Sequence, residues 1–272
     1  MEIKAADVAK LRAMTGAGMM DCKKALVEAE GDFDRAQDII REKGKLVAAK
    51  RADRTATQGV VASKIVGQKG YMLCLACETD FVAQNADFVA ATNAILDIAV
   101  EADAADLDAL LAVVKDGKTV AEIVTEKSGQ TGEKVELAYY GKIEAPMCVT
   151  YIHMNSKLGT LIGFNKEIDK EVAKDVAMQA AAMAPVSIDK GDCDPKIIEH
   201  ERMIGREQAR QEGKPEAMLD KIAEGKVNKF LKENTLLNQD LVKNNKISVG
   251  NYIKEADKDA TVVAYKRFSL ND

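Results

Sequence analysis

A chain of 272 residues, 47% hydrophobic and 31% charged, is long enough for two or three modest domains with apolar cores. Its formal net charge is −5 with Lys and Arg interspersed among Asp and Glu, which excludes the concentrated basic footprint of a phosphate-reading nucleic-acid binder. No uncharged run approaches the ~20 residues that span a bilayer, and the opening MEIKAADVAK is neither a secretory signal nor an Arg-rich transit peptide.

Residues 1–54 are expected to form a helical module with its linker. Val8, Leu11 and Met14 step by three along a first helix that stops at Thr15-Gly16, where glycine supplies a left-handed cap. Cys22, Leu26 and Ala29 mark the apolar face of a second helix ending at Gly31. Asp32 is placed to N-cap a third, which carries Phe33, Ala36 and Ile40 and which Gly44 is expected to close. The stretch KLVAAKRADRTATQG, 45–59, is charged and poorly periodic and is expected to be a helical-to-loose linker.

From Gly59 the pattern turns to strands. VVASKI (60–65) and YMLCLACE (71–78) are expected to pair as a hairpin across Gly67 and Gly70. A helix with Phe88, Ala91, Ile95 and Ile98 on one face follows, then a helical region over 107–127, then a strand KVELAYY, 134–140. The second half repeats the order: MCVTYIH (147–153), a polar turn MNSK, LGTLIGF (158–164), a helix over 170–183 and a last strand TVVAYKRF, 261–268. Tight turns between paired strands predict an α+β fold with a duplicated core of antiparallel sheets, not a doubly wound parallel sheet. One core subdomain is expected over 55–141, the other over 142–184 and 231–272.

The insertion at 185–230 is charged. Asp194-Pro195 opens a helix to about Gln211, EGKP turns the chain, and Pro215 starts a second helix to about Phe230. Ile197, Ile204, Leu219 and Ile222 make a thin apolar stripe, so this helical hairpin either projects toward another chain or packs on its own sheet.

Few residues suggest chemistry. CLAC, Cys74 to Cys77, matches a C-x-x-C redox or metal pattern, but it lies in a strand, where residues three apart point to opposite faces. Five cysteines without a framework of spacings point instead to reduced thiols in a cytosolic compartment, so a cytoplasmic location is expected. DGKT, 116–119, resembles the end of a phosphate loop, yet Ala112 stands where that motif needs glycine. With only His153 and His200 and no hydrolase motif, we expect no catalytic residue, no metal ligand set, no cofactor and no nucleotide held by this chain. His153 ends a strand, where it is either a satisfied strand-end histidine or part of a contact surface.

Two features remain. Met19 and Met20 open the second helix about 100° apart, so they either fill gaps in a small core or offer adaptable protein contacts. ETDFVAQNADF, 78–88, holds two phenylalanines: Phe88 joins the helical stripe and is expected in the core, whereas Phe81 precedes the helix. The matching crossing of the second half, GFNKEIDKEV, has no Asp-Phe pair. Because the scaffold is built there without that pair, Asp80 and Phe81 are expected to matter less for folding, and Phe81 is expected to be displayed as a recognition wedge.

TGAGMMDCKKAL with the following GD, then ETDFVA, then YIHMNSKLG stand in the order found in bacterial elongation factor Ts, and the chain resembles that family over nearly its whole length. The resemblance implies a guanine-nucleotide exchange factor that binds elongation factor Tu·GDP, disturbs its Mg²⁺ and phosphate site and lets GTP follow GDP, with no chemical step of its own. It implies a ubiquitin-associated-like N-terminal module, a two-part α+β core and a helical hairpin that dimerises the chain. It implies that Arg12, Met19 and Met20 dock the module on the partner's GTPase domain. Thr79, Asp80, Phe81 and Val82 would form the loop that disturbs Mg²⁺ binding, with Phe81 the wedge and His153 nearby. A helical segment that some members carry after the last strand is not expected past Asp272. The reading from another class is a ubiquitin-associated-type protein-binding adaptor whose N-terminal helices are the active part, and a thiol oxidoreductase using Cys74 and Cys77 is a third.

Overall fold

The computed structural model describes residues 3 to 271; residues 1, 2 and 272, the outer ends of the first and last expected segments, lie outside the described residues. Three helices open the chain: α1 (Ala5–Thr15), α2 (Met19–Glu28) and α3 (Phe33–Lys50). Gly16, at φ 67°, ends α1 and donates its N–H to the Arg12 carbonyl at 2.8 Å. The Asp32 carboxylate caps α3 by accepting from the N–H groups of Asp34 and Arg35. Val8, Leu11, Cys22, Leu26 and Ala36 form the small core between them. Met14 is not in it and is half exposed. Steps of three fall about 60° short of a full turn each, so two of them carry Met14 about 120° away from Val8.

The hairpin β1 (Gln58–Val66) and β2 (Lys69–Cys77) is followed by α4 (Asp80–Ala83), α5 (Ala86–Ala102), α6 (Leu107–Ala112), β3 (Val114–Lys115), β4 (Lys118–Thr119), α7 (Val120–Thr131) and β5 (Glu136–Glu144). The second half runs β6 (Met147–Ile152), β7 (Leu158–Phe164), α8 (Lys170–Met183), α9 (Pro195–Gln211), α10 (Leu219–Asn234), β8 (Asp240–Leu241), β9 (Asn244–Ser248), α11 (Val249–Ala256) and β10 (Val262–Ser269). Two three-stranded antiparallel sheets result, ordered β1-β2-β5 and β6-β7-β10, each with the second strand of its hairpin in the middle. The fold is α+β.

The sheets pack face to face through Val61, Met72, Cys74, Ile143, Cys148 and Leu161. Helices α5, α6 and α7 cover the outer face of the first sheet, and α8 and α11 that of the second. Because β2 is buried on both faces, it reads as an unbroken apolar run where a half-exposed strand would alternate. Cys74 faces the other sheet and Cys77 faces the helices, so their sulfurs diverge.

Three expectations need correcting. The helical region over 107–127 is interrupted, because Asp116 (φ 50°) and Gly117 (φ 77°) form a two-residue turn between β3 and β4. DGKT is thus a hairpin turn whose Thr119 starts α7 in a capping box with Glu122. Gly44 does not close α3, which runs on to Lys50. It marks a close approach of the two helices: a Cβ built on Gly129 of α7 would overlap the Gly44 backbone, so the glycine this crossing requires is Gly129. The linker therefore shrinks to the turn after Lys50, and α3 lies directly on α7.

Candidate protein-docking site

Phe81 sits on the first turn after β2, on the four-residue helix α4, and not in an open loop. Val82 and Ala83 pack against the helical side of the first sheet, while the Phe81 ring is 85% exposed. An aromatic ring left so bare on an ordered segment contributes little to the stability of its own chain; burying it elsewhere is worth about 2 kcal/mol. Phe88, seven residues on, is 2% exposed at the start of α5.

The turn beneath Phe81 is tied down by residues distant in sequence. The Glu133 carboxylate accepts from the N–H groups of Glu78 and Thr79, both at 3.0 Å, and from the Thr79 hydroxyl at 2.6 Å. The same hydroxyl oxygen accepts from the Val82 N–H at 3.4 Å, capping α4, and Asp80 occupies its first turn, where a carboxylate suits the helix dipole. Arg51 Nη1 reaches both Glu78 oxygens at 3.0 Å, and the Lys134 N–H donates to Glu78 Oε1 at 2.7 Å. That backbone N–H and the Arg51 guanidinium hold the Glu78 carboxyl below the usual carboxylate range.

The N-terminal helices dock beside this turn. Besides the Gly44–Gly129 crossing, Gln130 Nε2 donates to the Thr15 carbonyl at 2.6 Å, and Arg41 pairs with Glu126 at 3.5 Å. Between the module and the core lies a groove of about 1190 Å³, lined by Arg12, Met19, Phe81, Val82 and Phe88 among others. Lys127 also lines it, and burial pulls its ammonium group below the ordinary lysine value.

Arg12, Met19, Phe81 and Val82 are thus brought to one cleft, with Thr79 and Asp80 on the turn that carries Phe81. Met20, 63% exposed, points away from it, as neighbours about 100° apart on a helix must. His153 is outside the groove, exposed just beyond β6, its Nδ1 at 3.0 Å from the Tyr151 hydroxyl. The turn after it is fixed to β1, on which α4 packs, by the Val61 N–H donating to the Ser156 carbonyl at 2.7 Å. Glu133, Glu78, Arg51 and Gln130 tie down this turn and the module beside it, and local sequence does not announce them. Gly132-Glu133 reads only as the end of a helix, and its partner lies 54 residues away.

The family model described as Elongation factor TS matches residues 78–272. The chain belongs to the elongation factor Ts family. It is 47% identical over 272 residues to "Elongation factor Ts" of Porphyromonas gingivalis, covering 100% of this chain and 99% of that protein. "Elongation factor Ts" of Cytophaga hutchinsonii is 49% identical over 275 residues and that of Christiangramia forsetii 47% over 273, each match covering 99% of both chains. Elongation factor Ts proteins are translation factors of protein biosynthesis, of the guanine-nucleotide exchange class. Among the described residues no helix is long and apolar enough to cross a membrane.

Proposed function

We propose that the chain binds elongation factor Tu·GDP and promotes release of GDP by disturbing the Mg²⁺ and phosphate site of that partner, after which GTP enters. The exposure of Phe81 on a hydrogen-bonded turn carries this reading. A nanomolar nucleotide is held by about 12 kcal/mol, so its spontaneous loss is slow. A ring forced between packed elements of the partner shifts the groups that hold Mg²⁺, and by linkage the nucleotide then weakens the factor as much as the factor weakens the nucleotide. The chain forms no bond and breaks none, so it is no enzyme.

In this reading Thr79, Asp80, Phe81 and Val82 make the contact that dislocates Mg²⁺, and Arg12, Met19, Met20 and His153 supply further docking. Exposed Met14, Met19 and Met20 give the module an adaptable apolar surface. We divide the chain into a ubiquitin-associated-like module (1–54), core subdomains over 55–141 and over 142–184 with 231–272, and a projecting hairpin (185–230) that offers a route to a homodimer. Met203 on α9 and Met218 just before α10 are exposed there, in keeping with that use. An adaptor acting through its N-terminal helices alone leaves Phe81 without a role, so we do not adopt it. The cytoplasm is the compartment where this activity belongs.

Sedimentation velocity of the whole chain with and without elongation factor Tu·GDP tests the proposal. A faster boundary containing both proteins is expected; two independent boundaries at micromolar concentration would overturn it.

A further inference from the structure

We propose that Glu133 is a positioning residue for Phe81, an inference that rests on the wedge reading above. The strand ladder cannot hold this turn by itself. Pairing of β2 with β5 ends at Ala76 opposite Glu136, and pairing with β1 ends at Cys77 opposite Gln58. The N–H groups of Glu78 and Thr79 therefore emerge beyond the sheet, and α4, a single turn, is too short to order itself.

The Glu133 carboxylate takes the place of the missing strand. It accepts both N–H groups and the Thr79 hydroxyl, and charge-assisted bonds of this kind are about twice as strong as neutral ones. The contact is reciprocal: Glu133 binds the backbone of Glu78, while Glu78 binds the backbone of Lys134 at 2.7 Å. Glu133 is itself held in place, since it follows Gly132, which ends α7 at φ 73°, and donates its own N–H to Thr131 Oγ1 at 3.3 Å. The same few residues carry Gly129 and Gln130, which hold α3 and the end of α1. The stretch from Gly129 to Lys134 thus sets the Phe81 ring in a constant relation to the N-terminal module. A wedge acts only when its angle of entry is fixed, because a misplacement of about 1 Å already weakens an oriented contact severely.

Stopped-flow release of a fluorescent GDP analogue from elongation factor Tu, titrated with the factor, gives a maximal rate and a half-saturating concentration. Glu133→Ala is expected to lower the maximal rate roughly tenfold and to leave half-saturation within about twofold. Glu133→Gln, which keeps a carbonyl acceptor but loses the charge, is expected to fall between, and it carries the comparison if circular dichroism shows Glu133→Ala poorly folded. In a Phe81→Ala background neither change is expected to slow release further. An equal loss with and without Phe81, a loss confined to half-saturation, or no loss in either Glu133 variant would overturn the positioning role. Unchanged release by Phe81→Ala alone would overturn the wedge reading, and the positioning role with it.

Discussion

Asp103 shows how much a single side chain organises in this core. It ends α5 at φ 46°, and its carboxylate accepts from Lys69 Nζ at 2.6 Å, the Tyr71 hydroxyl at 2.9 Å and Lys142 Nζ at 3.1 Å, joining α5 to β2 and β5. These donors, Lys69 foremost, hold its carboxyl well below the ordinary carboxylate range. A lowered carboxyl stabilises the fold fully above its ordinary value, 3.8, and that contribution is lost as pH falls through the lower folded value. Asp103→Asn tolerates the same left-handed backbone but cannot carry the charge. We expect it to melt below the parent protein at pH 7, with the gap narrowing as the buffer is taken below pH ~4; a gap independent of pH in thermal melts would contradict the assignment. The two phenylalanines of ETDFVAQNADF belong to this scale too. Helical spacing from Phe88 to Ile98 suffices to bury Phe88, and the lack of an Asp-Phe pair at the matching place in the second half suffices to suspect Phe81. The exposure of Phe81 agrees with that suspicion, whereas Glu133 beneath it was invisible because its contact is non-local.

Among the elements, glycine has two opposite meanings that sequence alone does not separate. Gly129 in α7 and Gly225 in α10 are both helical, yet a Cβ at Gly129 meets the backbone of Gly44 and one at Gly225 meets nothing within 4 Å. Alanine favours a helix over glycine by up to about 1 kcal/mol, while overpacking costs about 1–3 kcal/mol. Gly225→Ala is therefore expected to raise the melting temperature. Gly129→Ala is expected to lower it and to expose the chain between Arg51 and Arg54 to limited trypsin digestion, because α3 must leave α7. Equal stabilisation by both substitutions would show that the crossing does not hold the module. The same ambiguity explains the misplaced end of α3. Gly44 carries the signature of a helix stop, and only its partner on α7 shows that it marks a close approach. The strands were easier, since hairpins with Gly-containing turns are local. The β3–β4 hairpin escaped because two residues per strand give no period to detect.

At the scale of the molecule, two sheets packed face to face share a buried core, the helical side of the first carries α4 and α7, and α7 in turn seats the N-terminal helices. Arg12 and Met19 thereby line one groove with Phe81, which is far from both in the chain. The architecture was legible because strand order follows chain order in both halves, whereas the groove was not, since it arises where α3 lands on α7. A displayed ring on so braced a scaffold makes a definite demand on kinetics. The most direct test is release of a fluorescent GDP analogue from elongation factor Tu in stopped flow, comparing the chain with its Phe81→Ala variant at saturating concentration. Loss of a buried aromatic anchor is expected to slow release by roughly tenfold or more with the melting temperature unchanged, as suits a residue that touches little of its own fold. An unchanged rate from a well-folded variant would contradict the account.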